Sequence, residues 1–125
     1  MRYLLLTYNA PGGADIWAAM TESERQAEQD EYVRLMERMR RSNSYIAAAE
    51  LEPFSAARTV RVRDGARTVT DRPAVHGEEF LTGYFLIEAN SLDAAIDWAA
   101  EIPNARTGSV EIRPLMDEEL AARMA

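Results

Sequence analysis

The 125-residue chain has no cysteine, no lysine and a single histidine. Without cysteine it can form no disulfide and has no thiolate to serve as nucleophile or metal ligand, and without lysine it cannot use Schiff-base chemistry. Long apolar runs are missing as well, since none approaches the roughly 18 residues that a membrane-spanning helix requires. Met1 leads directly into a strand-like segment, without the basic and apolar regions of a secretion signal. We therefore expect a cytoplasmic protein that does not associate with membranes.

The balance of charge narrows the class of partner. The 14 basic residues, all of them arginine, are outnumbered by 21 acidic residues, and the formal net charge is −7 at pH 7. Because nucleic-acid binding depends on clustered positive charge, direct binding of nucleic acid is not expected. The hydrophobic content of 47% is typical of a folded protein, and the length suits one domain over residues 1–125.

The spacing of apolar residues predicts an α+β domain. Strands are expected at residues 3–8, 45–51, 82–89 and 108–113, and helices at residues 22–41, 91–103 and, more briefly, in the C-terminal tail 116–125. The first long helix begins with the capping-box pattern Thr21–Glu24, and Asn43 suits the left-handed conformation that ends a helix. Ser91 caps the second. We expect Leu86 and Ile96 to be buried in the core.

A hairpin is predicted in the middle of the chain. Thr59–Arg63 and Arg67–Asp71 alternate apolar and polar residues around Asp64-Gly65, a dipeptide suited to positive φ angles. The order β-α-β, hairpin, β-α-β predicts a ferredoxin-like split βαβ sheet with an inserted hairpin. Two helices cover only one face of such a sheet, so we expect the other face to be buried in a homodimer.

His76, the one histidine, is the first candidate for chemistry. Its ordinary pKa lies near neutrality, so it could act as a general acid or base, with Asp71 or Glu79 to orient it. The alternative is an exposed loop histidine without a chemical role, because no spacing rule joins these three side chains. No metal is expected, since His76, Glu78 and Glu79 lack the helical i, i+4 placement of a zinc motif. No cofactor is expected either, because Pro11–Gly13 is not followed by the Gly-Lys-Ser/Thr of a phosphate loop.

A second set of candidates lies on the predicted sheet. Glu111 and Arg113 are two residues apart on one strand and therefore share a face, where Glu88 and Tyr84 of a neighbouring strand could join them in a ligand-binding cleft. Arg113 would then bind a carboxylate or phosphate group of the ligand. The alternative is an ion pair across the dimer interface.

Several segments together resemble one protein family. They are Thr59–Arg61, Gly83–Glu88, Ala95–Ala99, Ile102-Pro103 and Gly108–Pro114. In these, and over nearly its whole length, the chain resembles the YCII-related, DGPF-domain proteins. The resemblance implies a dimeric α+β barrel. Members are mostly of unknown function, although some are linked to extracytoplasmic-function sigma factors and wider relatives carry a His/Asp pair suggestive of an enzyme.

The motif that names the DGPF proteins is altered in this chain. Where the family has Asp-Gly-Pro-Phe, Asp71–Ala74 keeps Asp71 and Pro73 but replaces the glycine by Arg72 and the phenylalanine by alanine. Two functions remain as hypotheses. The first is a small-molecule-binding domain or enzyme that acts on a small anionic or aromatic metabolite in a cleft near the dimer interface. The second is a noncatalytic regulatory or interaction module associated with a sigma factor.

Overall fold

The computed structural model describes residues 1–116 and 118–125, so that Asp117 of the predicted C-terminal helix lies outside the described residues. The strands are β1 (Arg2–Asn9), β2 (Tyr45–Glu50), β3 (Thr59–Arg63), β4 (Ala66–Thr70), β5 (Phe80–Glu88) and β6 (Ser109–Pro114). The helices are α1 (Gly13–Ala19), α2 (Glu22–Arg41), α3 (Leu92–Glu101), α4 (Asn104–Thr107) and α5 (Glu118–Met124), with a 3₁₀ turn at Phe54–Ala56.

Four strands form one antiparallel sheet in the order β2-β5-β1-β6. β1 and β2, which α2 connects, lie on either side of β5, and β5 and β6, which α3 connects, lie on either side of β1. Each β-α-β unit thus leaves a gap that a strand of the other unit fills, which is the split arrangement predicted from the order of elements. The α+β prediction is confirmed. β3 and β4 form a separate two-stranded sheet.

The hydrophobic core lies between one face of the sheet and the helices α2 and α3. Its buried side chains are Tyr3, Leu5, Phe85, Ile87 and Ala89 from the sheet side and Leu35, Met39, Ala95, Ala99 and Ile102 from the helical side. Since neighbouring side chains of a strand point to opposite faces, Leu4, Leu6, Tyr84 and Leu86 project away from these helices, where they are only partly buried. We call this second face the open sheet face.

Two core predictions were wrong. Leu86 lies on the open sheet face rather than against the helices, and Ile96 is 45% exposed. The buried side of α3 is instead formed by Ala95 and Ala99 and continues to Ile102, at spacings i, i+4 and i+7. Ile96 was predicted to be buried because Leu92, Ala95, Ile96 and Ala99 form an apolar stripe at helical spacing. This stripe is wider than the part of α3 that contacts the sheet, where the two small alanines pack.

The ends of the long helices follow the sequence predictions. The Thr21 hydroxyl accepts the Glu24 N–H at 3.1 Å while the Glu24 carboxylate accepts the Thr21 N–H at 3.1 Å, which completes the capping box of α2. Asn43 has the expected left-handed backbone, with φ of 57°, and the Ser91 hydroxyl accepts the Ala94 N–H. The short helices α1 and α4 were not predicted, because seven and four residues are too few for a periodic pattern to stand out.

A buried polar network fastens α2 and α4 to the sheet. Asn104, only 8% exposed, accepts a hydrogen bond from the Tyr32 hydroxyl and donates one from Nδ2 to Asn9 Oδ1 at 3.0 Å. Thr82 Oγ1 lies 3.0 Å from the hydroxyl of the buried Thr7 and extends the network into the sheet. Burial, with nearby carboxylates, raises the pKa of Tyr32 far above its ordinary value, so its hydroxyl remains a donor.

The predicted hairpin forms with the predicted turn. Asp64 and Gly65 have φ of 52° and 76°, the positive angles that a tight two-residue turn requires. At its base, Arg58 Nε lies 3.2 Å from an Asp71 carboxylate oxygen and the Thr59 hydroxyl donates to the Arg72 carbonyl at 2.6 Å. Apart from the partly buried first residue of β3, every residue of the two strands is exposed, so the hairpin projects from the body of the protein.

Candidate functional site

A cleft of about 980 Å³ opens at one end of the four-stranded sheet, where β1 ends and β5 and β6 begin. Its walls come from residues 51–54, 56–57, 73–75 and 77–81, which flank the hairpin, and its base from Tyr8 and residues 109–111. Gly108 permits this geometry, because a Cβ atom there would lie 2.0 Å from the carbonyl oxygen of Tyr8. β6 can therefore approach β1 at the cleft only with glycine at this position. We call this feature the sheet-end cleft.

An aromatic pair provides the apolar wall of the sheet-end cleft. The rings of Phe54 and Phe80 stack with their centroids 4.3 Å apart and their planes inclined by 14°. Leu81, 41% exposed, and Val110 extend the apolar surface beside them. Stacked rings next to aliphatic side chains suit a flat, largely apolar group.

The polar side chains that line the sheet-end cleft are mostly acidic. Four carboxylates line it: Glu52, Glu78, Glu79 and Glu111. No arginine or histidine is found among its lining residues in the described part of the chain. The cleft therefore has a negative potential, which disfavours an anion and favours a neutral or cationic group.

Two of these four carboxylates form a hydrogen bond or an ion pair within the described chain, and the other two do not. Glu79 accepts hydrogen bonds from the Ser109 hydroxyl at 3.1 and 3.2 Å, and Glu111 Oε2 lies 3.3 Å from Arg113 Nη1. Within residues 1–116 and 118–125, no ion pair or hydrogen bond is recorded for the carboxylates of Glu52 and Glu78.

Tyr8 supplies a hydroxyl at the base of the sheet-end cleft. Desolvation raises its pKa above the ordinary value, and the Glu111 carboxylate raises it further while Arg113 opposes the change. The hydroxyl therefore stays protonated at neutral pH and can donate a hydrogen bond to a ligand.

The structure does not bring the predicted catalytic pair together. His76 is exposed and lies outside the lining of the sheet-end cleft, with Nδ1 3.1 Å from the Pro73 carbonyl oxygen. Asp71 pairs with Arg58 at the base of the hairpin. Among the described residues, no ion pair joins His76 to Asp71 or Glu79, so the acid/base role stays a prediction without a direct contact to support it.

Glu88 lies at the other end of the sheet from the cleft. It is opposite Arg2 in the register of β1 and β5, whereas Asn9 and Phe80 pair at the cleft end. Its carboxylate accepts a hydrogen bond from the amino group of Met1 at 2.8 Å, and this contact is the main cause of its lowered pKa. None of Asp71, His76, Glu88 and Arg113 lines the sheet-end cleft, so the structure does not bring these four side chains together there.

The remaining candidates share the open sheet face, as the alternation of strand residues predicts. Tyr84 and Glu111 both lie opposite Leu6, and Arg113 lies opposite Leu4. Of these, Glu111 alone lines the sheet-end cleft, and the Arg113 side chain is paired with it. A clamp role for Arg113 is not supported by this arrangement.

Sequence reasoning missed Tyr8 and the aromatic pair of the sheet-end cleft. The available signal was local: Phe54 follows Pro53 and Phe80 follows Glu79 at the two ends of the hairpin insertion, and both lie outside the strands predicted from the sequence. The altered motif forms part of the wall of the sheet-end cleft, since Pro73 and Ala74 line it. Positive φ among non-glycine residues is confined in the described chain to Asn43 and Asp64, so Arg72 adopts an ordinary backbone in place of the family's glycine.

The described residues contain neither a metal-binding cluster nor a membrane-spanning helix. No group of three His, Asp or Glu side chains in residues 1–116 and 118–125 is arranged to hold a metal ion. In the same residues, no helix has both the length and the apolar character that crossing a membrane requires.

Comparison with known proteins agrees with the fold. The family model described as YCII-related domain matches residues 1–119. An uncharacterised protein of Rhizobium meliloti (strain 1021) is 35% identical over 123 residues, an alignment that spans 92% of each chain. A family match over nearly the whole chain, together with this identity, establishes that the chain belongs to the YCII-related family.

Proposed function

We propose that this protein is a small-molecule-binding domain that acts as a homodimer and holds a flat, largely apolar ligand in the sheet-end cleft. The observation that carries the proposal is the cleft itself, whose volume of about 980 Å³ and stacked Phe54–Phe80 wall match the size and lining of ligand pockets. The Tyr8 hydroxyl at its base supplies a donor that would orient such a ligand.

The charge of the cleft selects between the two ligand classes expected from the sequence. An anion would face the carboxylates of Glu52 and Glu78 without a basic side chain in the described lining to neutralise it. An aromatic ligand gains from the phenylalanine pair whatever the charge around it. We therefore propose an aromatic ligand that is neutral or carries a positive group, and not the anionic metabolite.

The open sheet face supports the homodimer. Leu4, Leu6, Tyr84 and Leu86 form an apolar surface on the side of the sheet away from α2 and α3. The face continues into the sheet-end cleft through Tyr8 and Glu111. A second copy that covers this face would also narrow the open side of the cleft, so the ligand site and the dimer interface would adjoin.

Three probes with the same ring and different charge test the ligand class: benzylamine, benzyl alcohol and benzoate. One unit charge about 4 Å from a carboxylate contributes about 1 kcal/mol in water, attractive for the amine and repulsive for the acid. We expect benzylamine to bind about tenfold or more tightly than benzoate in an NMR titration, with benzyl alcohol between them. Phe54→Ala should weaken all three, and Leu92→Ala, on the exposed side of α3, should weaken none. Failure of all three to bind would refute the proposal.

The interaction-module hypothesis stays a prediction. Neither the family match nor the Rhizobium relative names a sigma factor or another partner. An acid/base reaction at His76 also stays a separate prediction, because the binding proposal does not involve that side chain.

A further inference from the structure

The hairpin arm, residues 58–72, presents an apolar face that its own chain leaves exposed. Val60 and Val69 are opposite each other in the register and Val62 is two residues from Val60, so the three side chains share one face of the hairpin. They are exposed by 59%, 53% and 58% respectively. A two-stranded hairpin is marginal in water by itself, so burial of this face against another surface would stabilise it.

The hairpin arm is also basic, in contrast to the rest of the protein. It contains five of the 14 arginines and two aspartates, a net charge of +3 in a chain whose total is −7. Arg58 pairs with Asp71 at the base, but in the described part of the chain no ion pair is recorded for Arg61, Arg63 or Arg67. Arg63 donates a hydrogen bond from Nη1 to the Val62 carbonyl at 3.0 Å, and all three guanidinium groups retain N–H donors that can pair with carboxylates of another surface.

A surface of matching character lies on the body of the same protein. The open sheet face is apolar, and its cleft end carries the carboxylates of Glu52 and Glu78, for which no partner is recorded in the described chain. Unpaired arginines on the arm and unpaired glutamates on the body are complementary, yet the arm projects away from its own body. In a dimer with two-fold symmetry, the arm of each copy can contact the body of the other copy. The arginines then meet the glutamates, and the same contact forms twice.

We propose that the hairpin arm of each protomer docks on the second copy. Val60, Val62 and Val69 then cover apolar surface beside the partner's open sheet face, and Arg67 pairs with the partner's Glu78, which leaves the partner's Glu52 to give the ligand site its negative charge. This inference rests on the homodimer of the proposed function, and it identifies the hairpin arm as the element that stabilises the association of the two copies. The arm also becomes the wall that closes the partner's ligand site.

The first test replaces the valines by a residue of nearly the same shape. Threonine keeps the β-branched form that suits a strand, so V60T/V62T/V69T should retain the hairpin while placing hydroxyl groups in the interface. An unpaired buried hydroxyl is unfavourable, so the dimer dissociation constant measured by sedimentation equilibrium should rise roughly hundredfold or more. Val33→Thr, at a 47% exposed position on α2, is the matched control and should leave it unchanged.

The second test reverses charge. Arg67→Glu should weaken the dimer at least about tenfold, and adding Glu78→Arg to the same chain should restore part of that loss, because each arm then faces the opposite charge again. A monomeric wild-type protein would overturn both the dimer and the arm. A wild-type dimer that V60T/V62T/V69T and Arg67→Glu leave intact, but that Leu6→Thr on the open sheet face weakens, would overturn the arm alone.

Discussion

Asn104→Ala should destabilise the protein through its hydrogen-bond partners rather than through lost volume. The substitution leaves the half-buried Tyr32 hydroxyl without its acceptor and removes the 3.0 Å hydrogen bond to Asn9. An unsatisfied buried hydroxyl costs about 1–3 kcal/mol, and the lost hydrogen bond contributes about 1 kcal/mol. We therefore expect the free energy of unfolding in urea to fall by about 2–4 kcal/mol with an unchanged m-value.

A double-mutant cycle separates this mechanism from simple loss of packing. Tyr32→Phe removes the hydroxyl and leaves Asn104 without its donor, so each single variant leaves one polar group unpaired, whereas the double variant leaves neither group of this pair. The double variant should lose less stability than the two single variants together, by about 1–2 kcal/mol. The exposed Asn90→Ala is the control and should change stability by less than about 0.5 kcal/mol. Additive losses in the cycle would refute the reasoning.

Three further outcomes follow from burial and charge. Ile87→Ala, at a fully buried position, should cost about 2–5 kcal/mol in urea unfolding, whereas Ile96→Ala at 45% exposure should cost clearly less. The hydrogen bond from the Thr21 N–H lowers the pKa of Glu24, so the capping box stabilises the fold at neutral pH and loses this contribution as pH falls through the folded pKa. Glu24→Gln should flatten that acid dependence in thermal unfolding. His76→Gln should leave the affinity for benzylamine unchanged in the NMR titration, and a weakened affinity would show that His76 belongs to the ligand site.

Local signals in the sequence were sufficient for most of the fold. The capping box, the Asp64-Gly65 turn and the alternation of β6 each depend on neighbouring residues, so they could be predicted from the sequence alone. The side of α3 that is buried depends on how the helix lies on the sheet, which no local pattern specifies. Ile96 was therefore placed in the same buried stripe as Ala95 and Ala99, but of these three only the two alanines are buried.

The candidate site was less predictable because its parts are distant in the chain. Tyr8, Phe54, Phe80 and Glu111 come together only after four strands have paired and the hairpin insertion has folded back. Sequence reasoning favoured His76 because it is the one histidine and its ordinary pKa lies near neutrality. This property does not depend on whether the side chain lies in a site or in an exposed loop. The apolar lining of the cleft has no comparable signal in the sequence, since an aromatic residue that lines a cleft cannot be distinguished from one that packs in the core.

The measurement that tests the central claim most directly is an amide chemical-shift map of the isotope-labelled protein during titration with benzylamine. Binding in the sheet-end cleft predicts shifts concentrated at Phe54, Phe80, Leu81 and Val110, which line it, with saturation at millimolar concentrations typical of a ligand of this size. The amides of α3 at Leu92 and Ile96 should not move. Shifts that spread over the surface without saturating, or that cluster away from the cleft, would contradict the account.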